Sequence, residues 1–349
     1  MSINRGDKVK KANIAIIGAT GIVGEALLDI LEQRKFPIEN LFLFGSERSE
    51  GQEIRFKRKM YPVENVANFD FSKAHIAFFA AGNEISAKYA PKAAEAGCVV
   101  IDKSSHFRYE PEIPLVIPEV NPEAIADYVN RSIIASPNCS TIQLLVALKP
   151  IYDAVGITRV NVATYQSVSG TGRKAITELI QQSGELLNGR PVTSQVYSQP
   201  IAFNVIPKCD AFLSNGYTAE EMKLVLETQK IFADETILVN PTAVRVPVIY
   251  GHSEAVHLET REKITAEAVK ALLDEADGVV VLDETESDNY PTPQQCTKEE
   301  DAVFVSRIRE DISHPNGLNL WIVADNVRKG AALNAIQIAE ILWRDYLGY

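Results

Sequence analysis

The fold of the amino-terminal half is decided by the stretch Asn13-Ile14-Ala15-Ile16-Ile17-Gly18-Ala19-Thr20-Gly21-Ile22-Val23-Gly24. An apolar run ends at Gly18, and the helical pattern Glu25–Gln33 follows the last glycine. Strand, glycine turn and helix in this order form the context of a dinucleotide-binding fingerprint. Small residues there let backbone amides approach a pyrophosphate at the helix start. The spacing is Gly-x-x-Gly-x-x-Gly and glycine turns often follow strands, so this turn alone is a weak signal.

The next apolar runs extend the same pattern. They predict strands over Asn40–Phe44, His75–Asn83 (ending in a small-residue turn), Cys98–Asp102 and Ile133–Ala135, with a helix over Ile85–Ala96. Strands that alternate with helices indicate a parallel sheet. We therefore predict an α/β fold with a Rossmann-type dinucleotide-binding domain over residues 1–138, completed by a C-terminal helix over 328–349.

The end of the second predicted strand bears on the choice of cofactor. An NAD enzyme places a carboxylate there for the ribose hydroxyl, whereas this chain has Ser46, Arg48 and Ser49, which could hold a 2′-phosphate. Glu47 could take the ribose instead, but the pattern favours NADP. Ala81 and Gly82 would let the cofactor lie close.

Cys139 lies in a second informative stretch, Ala135–Ile142, which reads as strand, sharp turn and helix. A cysteine at the first helical turn meets free backbone N–H groups and the positive end of the helix dipole, which favour a thiolate. A buried cysteine that merely fills space is the alternative, and locally the two interpretations are about equal.

The pattern changes after this helix and predicts a second, α+β domain over 139–327 with a mostly antiparallel sheet. The chain there contains strand-like runs and helical patterns. The strands are expected over 159–166, 201–205, 244–259, 279–282, 303–309 and 318–324, and the helices over 173–187, 219–233 and 266–275. The last helical pattern, 330–346, follows this domain and is expected to pack on the first one.

Two groups of residues in this domain could take part in chemistry. Thr218 and Glu221 fit a helix capping box, while Glu220 and Lys223 share a helix face, where an exposed ion pair of little energetic value is the simpler interpretation. Arg245 and His252 follow each other on one predicted strand. A bulge or bend at Gly251 would bring them to the same side; a core histidine is the less favoured alternative for His252.

Composition excludes several classes of protein. The chain has 349 residues, 46% of them hydrophobic, and a net charge of −11, which argues against nucleic acid and anionic membranes as partners. No apolar run is long enough for a membrane span, and Met1–Lys11 lacks the apolar centre of a signal peptide. Four scattered cysteines predict no disulfide framework and no metal site, and favour a reducing cytoplasm.

A helix-start cysteine, a candidate base and a nicotinamide site together predict oxidation of an aldehyde through a thiohemiacetal. Further basic residues, Arg108 among them, suggest an anionic substrate and a second anion.

At these residues the chain closely resembles the aspartate-β-semialdehyde dehydrogenase family over essentially its full length. Seven stretches carry the resemblance jointly and in order: Gly18–Gly24, Ser136–Thr141, Tyr165–Gly172, Glu220–Lys223, Arg245–Pro247, Gly251–Glu254 and Asp325–Ala332.

The resemblance implies reversible, phosphate-dependent conversion of 4-phospho-L-aspartate to L-aspartate 4-semialdehyde with NADP, on the route to lysine (through diaminopimelate), methionine and threonine. It also implies a homodimer or homotetramer. It makes Cys139 the nucleophile, His252 the acid/base, and Gln166, Arg245 and Glu220 substrate ligands. It assigns Arg108, Asn138 and Lys223 to phosphate, and to the cofactor Gly18, Thr20, Gly21, Ile22, Val23, Ser46, Arg48, Ser49, Ala81, Gly82, Ser169, Gly170 and Asn326.

Three alternatives remain at this point. N-acetyl-glutamyl-phosphate reductase shares the fold and the thioester, but the stretches around Gln166, Arg245 and His252 favour the aspartyl enzyme. A thiol hydrolase or acyltransferase leaves the glycine turn unexplained. A non-catalytic dinucleotide sensor gives no reason for Cys139. His106, beside Arg108, is a further candidate for proton transfer.

Overall fold

The chain folds into two units, which we describe separately from a computed structural model that describes residues 10–283, 289–296 and 301–348. The first unit contains the chain up to Pro114, then Pro122–Ser136, and the chain from Ala335 onward; the second contains Leu115–Asn121 and Pro137–Asn334. Residues 1–9 and Tyr349, which belong to the predicted first domain, lie outside the described residues.

The first unit is built on a seven-stranded sheet of order β3-β4-β2-β1-β5-β6-β7, in which only the β3–β4 pair is antiparallel. β1 and β5 are buried almost throughout, as expected for parallel strands covered on both faces. Its elements are β1 (Ala12–Ile17), α1 (Ile22–Gln33), β2 (Ile38–Phe44), β3 (Glu53–Phe56), β4 (Lys59–Glu64), β5 (Ile76–Phe79), α2 (Asn83–Glu95), β6 (Val99–Asp102) and β7 (Ile133–Ala135).

The second unit has a six-stranded sheet of order β11-β12-β13-β10-β8-β9, in which three of the five strand pairs are antiparallel. The predicted α/β class with a mostly antiparallel second sheet is confirmed. Its elements are α3 (Cys139–Val155), β8 (Ile157–Gln166), α4 (Arg173–Leu187), α5 (Ala219–Phe232), β9 (Leu238–Arg245), β10 (His252–Thr260), α6 (Ala266–Asp274), β11 (Val279–Val281), α7 (Pro293–Cys296), β12 (Val303–Glu310) and β13 (Gly317–Ala324).

The strand predicted over Ile201–Val205 is wrong. Phe203 adopts a left-handed conformation with φ 55°, which ends any extended run. Gln182 of α4 accepts the backbone N–H groups of Ile201 and Ala202, and both residues pack in a cluster with α4. The apolar run is therefore a turn, buried only at Ile201 and Ala202, rather than a strand.

The single strand predicted over Val244–Glu259 is also wrong. β9 ends at Arg245, and β10 begins only at His252, because Pro247 cannot donate a ladder hydrogen bond and Gly251 turns the chain with φ 88°. β9 and β10 lie on opposite sides of β8, so Arg245 and His252 belong to different strands of the same sheet.

The last helix is shorter than the predicted 330–346. The regular helix α8 covers Asn334–Leu342, and π-helical turns over Arg328–Leu333 and Trp343–Leu347 flank it. Within the described residues, no helix has both the length and the hydrophobicity required to cross a bilayer.

Candidate active site

Cys139 is the first residue of α3, as its sequence context predicts. Asn138 is the N-cap, and its Oδ1 accepts a hydrogen bond from Ser140 N at 3.0 Å. The other three cysteines are buried, whereas Cys139 is partly exposed. Accessibility at a helix start, where the dipole favours negative charge, fits a nucleophilic thiolate.

Helix α5 holds the turn that carries this cysteine. Asn138 Nδ2 donates to Glu220 Oε1 at 2.9 Å, and Asn138 N donates to Glu227 Oε2 at 2.7 Å. Glu220 and Glu227 are seven residues apart, hence two turns apart on one helix face. Glu227 is fully buried, and the sequence analysis missed it.

Glu220 and Lys223 form a largely buried ion pair, so the interpretation as an exposed pair is wrong. Lys223 Nζ lies 2.9 Å from Glu220 Oε2 and 3.1 Å from Asp210 Oδ2, and the two paired side chains are only 17% and 10% exposed. Burial alone would raise the pKa of Glu220, but Lys223 outweighs it and, with help from Asn138, lowers this pKa to about 2. Burial opposes the charge on Lys223 too, yet Glu220 raises its pKa. Both groups are therefore charged at neutral pH.

Gln166, the last residue of β8, connects this pair to α3. Its Nε2 lies 3.0 Å from Ser140 Oγ, 3.2 Å from Glu220 Oε1 and 3.3 Å from Thr164 Oγ1. An amide NH₂ has two donors for these three acceptors, so its orientation is well determined.

His252 begins β10 and is completely buried. Its Nδ1 accepts a hydrogen bond from Ser167 N at 3.0 Å, which places the proton of the neutral ring on Nε2. Nε2 itself has no hydrogen-bond partner among the described residues. Burial, followed by the positive charge of Arg245, lowers the pKa of His252 to about 3. The ring is thus neutral and offers an N–H donor.

Arg245 and His252 come together at Gly170. Arg245 Nη1 donates to Ser167 O at 2.7 Å. A Cβ added to Gly170 would lie 3.1 Å from Arg245 Nη1 and 3.4 Å from His252 Nε2. Both side chains therefore reach the same place from strands on opposite sides of β8, without the strand bulge that the sequence suggested.

A cavity of about 250 Å³ opens beside Arg245 and is also lined by Tyr197, Lys208 and Asp210. Arg245 Nε is buried and has no hydrogen-bond partner among the described residues. A buried guanidinium with a spare donor suits a carboxylate ligand.

Asn326 organises the loops around His252. Its Oδ1 accepts from Ser167 Oγ at 3.0 Å, from Ser169 Oγ at 3.2 Å and from Gly251 N at 2.9 Å. These bonds connect the segment after β8 to the residue that precedes His252.

Gly330 lies against Cys139. A Cβ at this position would lie 2.8 Å from Cys139 Cβ and 3.3 Å from Cys139 Cα, closer than carbon atoms normally approach. Only glycine fits here without displacing Cys139.

The first unit carries the features expected of a dinucleotide turn. Gly18 has φ 94°, and a Cβ there would lie 2.7 Å from Ala80 O, while one on Gly24 would overlap Gly18 O. Gly21 is the N-cap residue of α1 and makes no side-chain hydrogen bond to it. The first N–H groups of this helix, which begins with Ile22 and Val23, therefore receive no side-chain cap from Gly21.

A hydroxyl cluster follows β2. Thr20 Oγ1 lies 3.2 Å from Ser49 Oγ, which lies 3.5 Å from Ser46 Oγ, and Arg48 is exposed between these serines. This set of donors and one cation fits a phosphate group. Ala81 and Gly82 are exposed after β5, also in the first unit.

Two further candidates lie in the first unit. Arg108 is 5% exposed and donates to Lys103 O at 2.9 Å. His106 is exposed, and its ring packs edge-on against Phe107. In the part of the chain that is described, no group of three or more His, Cys, Asp or Glu side chains could hold a metal ion.

Comparison with known proteins agrees with these features. The model of the semialdehyde dehydrogenase NAD-binding domain matches residues 13–128, and the model of the dimerisation domain of the same family matches residues 148–329. Aspartate-semialdehyde dehydrogenase 2 of Vibrio cholerae is 61% identical over 96% of this chain and 98% of its own. The chain belongs to the aspartate-semialdehyde dehydrogenase family.

Other aspartate-semialdehyde dehydrogenases are similar. The enzyme of Legionella pneumophila is 61% identical over 96% of both chains. A crystal structure of the Vibrio cholerae enzyme II, described as complexed with ASA, has a TM-score of 0.95 at 60% identity and covers 97% of this chain and 99% of its own. As a member of this family, the chain is an oxidoreductase that acts on an aldehyde group.

Sequence reasoning missed three contributors to this candidate site: Glu227, Ser167 and Gly330. Glu227 shares a helix face with Glu220 at a spacing of seven, which could have drawn attention to it. Ser167 acts through its backbone N–H, and Gly330 through the absence of a side chain, so neither leaves a chemical signal in the sequence.

Proposed function

We propose that this chain interconverts 4-phospho-L-aspartate and L-aspartate 4-semialdehyde with NADP and phosphate, through a thioester on Cys139. The observation that carries this proposal is the arrangement of the second unit. There, a partly exposed cysteine at a helix start lies between Asn138 and Ser140, which share a hydrogen-bonded network with Gln166 and Glu220. Arg245 and His252 meet at Gly170. The established family membership supports the choice of substrate.

The charges suit the substrate. L-aspartate 4-semialdehyde carries a carboxylate and an ammonium group. Arg245, with its spare Nε donor, takes the carboxylate, and ionised Glu220 takes the ammonium. Gln166 orients the reacting carbon between them. On the resemblance alone, we assign Arg108, Asn138 and Lys223 to phosphate; in this structure Asn138 Nδ2 and Lys223 Nζ both contact Glu220.

The cofactor suits the glycine turn and the hydroxyl cluster. Gly18, Gly21 and the start of α1, with Ile22 and Val23, hold the pyrophosphate. Thr20, Ser46, Arg48 and Ser49 hold the 2′-phosphate, which favours NADP, and a structure of the Candida albicans enzyme is described as containing NADP. On the resemblance alone, we add Ala81, Gly82, Ser169, Gly170 and Asn326 to the cofactor ligands.

In the reductive direction, the thiolate of Cys139 attacks the acyl carbon, the C–O bond to phosphate breaks, and a thioester forms. NADPH supplies the hydride that reduces this thioester carbon. The resulting alkoxide expels the thiolate and becomes the aldehyde. His252 supports alkoxide formation, because its Nε2–H can donate to the oxygen and stabilise the negative charge. The hydrogen bond from Ser167 to Nδ1 favours this donor role over that of a base.

The same proposal extends to the biological setting. The reaction would serve lysine, methionine and threonine synthesis, including the diaminopimelate branch, in the cytoplasm. We propose a homodimer or homotetramer that uses the domain named for dimerisation in the matching family model.

Two acyl phosphates distinguish the proposal from its nearest alternative. The purified chain is mixed with NADPH and either 4-phospho-L-aspartate or N-acetyl-L-glutamyl phosphate, and absorbance of NADPH is followed. We expect oxidation with the aspartyl compound alone. Oxidation with only the glutamyl compound would refute the assigned substrate, and the similarity to aspartate-semialdehyde dehydrogenases already argues against it.

A further inference from the structure

Glu254 is a buried carboxyl group that the proposed reaction does not use. It lies two residues after His252, so both side chains project from the same face of β10. Its side chain is completely buried. Neither carboxyl oxygen has a hydrogen-bond partner among the described residues. An ionised carboxylate in this situation would be extremely costly.

Gln143 of α3 is a polar neighbour of Glu254. Its Nε2 donates to His252 O at 3.4 Å, while its Oε1 is buried and has no hydrogen-bond partner among the described residues. Gln143 Oε1 and both oxygens of an ionised Glu254 are all acceptors. A protonated Glu254 instead has an O–H donor, and one hydrogen bond to Gln143 Oε1 would then give a partner to that oxygen and to the hydroxyl of Glu254.

Charged groups do not counter this arrangement. Burial raises the pKa of Glu254 well above the ordinary 4.5, against a smaller opposing influence of the neighbouring Gln143 side chain. The titratable side chain that shares its face of β10 is His252, whose ring is neutral at physiological pH. The cross-strand neighbours of Glu254 are Thr164 on β8 and Ile322 on β13, and neither carries a charge.

We propose that Glu254 is held as a neutral carboxylic acid that donates its proton to Gln143 Oε1, and that this pair positions His252. Gln143 fixes the backbone carbonyl of His252, and Ser167 fixes the ring at Nδ1. The two contacts together determine where Nε2–H points. The positioning role rests on the proposed function, whereas the protonation state does not.

The protonation state is tested by infrared difference spectroscopy of wild type against Glu254→Gln at pH 7. We expect a band from a protonated carboxylic acid that is present in wild type and absent from the variant. A carboxylate band in its place would overturn the proposal. This measurement needs no substrate.

Stability against pH gives an independent test. Because the folded pKa of Glu254 is raised, the wild type loses stability as the pH rises above about 4.5, by up to about tenfold per pH unit in the unfolding equilibrium constant. Glu254→Gln abolishes this loss, so its stability relative to wild type should grow from pH 5 to pH 8. A constant difference across this range would contradict a neutral acid.

Glu178→Gln is the matched control. Glu178 is also a buried carboxyl group, but it accepts backbone N–H bonds from Gln195, Val196 and Tyr197. An amide has only one oxygen with which to accept them. We expect Glu178→Gln to destabilise the chain at pH 8, where Glu254→Gln stabilises it. Equal effects of the two variants would overturn the proposal.

The positioning role is tested by kcat in the NADPH assay, in which each variant is compared with the wild type. A wild type without activity would count against the proposed function and not against the role of Glu254. Glu254→Gln keeps a donor for Gln143 and should retain kcat within about twofold. Glu254→Met removes the donor and should lower kcat roughly tenfold at unchanged KM. The effects of Glu254→Met and Gln143→Leu should be less than additive. Equal kcat in both Glu254 variants, whether normal or reduced, would refute the positioning role.

Discussion

Gly330→Ala tests whether the backbone behind Cys139 determines its reactivity. The added Cβ would lie 2.8 Å from Cys139 Cβ and 3.3 Å from its Cα. Neither of these two Cys139 atoms can rotate away, because the backbone fixes the position of both. Carbon atoms prefer about 3.5–4.0 Å, so Cys139 must move by roughly 1 Å. A displacement of this size lowers the rate about 100-fold, or about 2.7 kcal/mol of transition-state stabilisation. We therefore expect kcat to fall roughly 100-fold while binding of NADP is retained.

Steady-state kinetics and the rate of alkylation of Cys139 measure the effect, and thermal unfolding separates it from loss of fold. Overpacking should cost about 1–3 kcal/mol of stability. Gly184→Ala is the matched control, because Gly184 lies within α4 and a Cβ there meets no atom within 4 Å. It should gain about 0.5–1 kcal/mol of stability at unchanged kcat. A folded Gly330→Ala variant with wild-type kcat would refute the reasoning.

Three further predictions follow from the same geometry. Cys139→Ala should abolish turnover but retain NADP binding in calorimetry, and residual turnover would reject Cys139 as nucleophile. Lys223→Ala should raise the KM for phosphate. It should also raise the pKa of Glu220, because Lys223 is the main group that lowers this pKa. An unchanged KM would indicate that Lys223 has only a structural role. Since the pKa of His252 is about 3, protonation of His252 should not lower kcat/KM between pH 5 and 8. A decrease in kcat/KM near pH 6.5 that is absent from His252→Asn would contradict this.

Local sequence signals predicted the elements of the fold well. The capping box of Thr218 and Glu221 is present, with Glu221 N bonded to Thr218 Oγ1 and Thr218 N bonded to Glu221 Oε2. The helix over Arg173–Leu187 has the predicted bounds. Such features depend on neighbours a few residues apart, and their physical causes are therefore contained in short stretches.

The strand breaks were harder to predict. Ile201–Val205 has the apolar composition of a strand. Its first two backbone N–H groups, however, donate hydrogen bonds to Gln182 Oε1, about 20 residues away, and these bonds hold the segment as a turn. Between Arg245 and His252 the sequence predicts only a bulge or bend at Gly251, because it does not reveal that β8 lies between the two strands.

The candidate site depends mostly on contacts between distant residues. Asn138 and Glu227 are 89 residues apart, and Ser167 and His252 are 85 apart. The family resemblance supplied residue identities for this site but no tautomer, ion-pair burial or glycine contact. The neutral ring of His252 and the buried Glu220–Lys223 pair could be recognised only once these distances were known.

Oxidation of L-aspartate 4-semialdehyde tests the central claim most directly. The purified chain is incubated with the semialdehyde and NADP⁺, with and without inorganic phosphate, and NADPH is followed by absorbance. If Cys139 forms a thioester that phosphate cleaves, NADPH accumulates over many turnovers only when phosphate is present. Turnover at the same rate without phosphate, or no NADPH in either mixture, would contradict the proposed reaction.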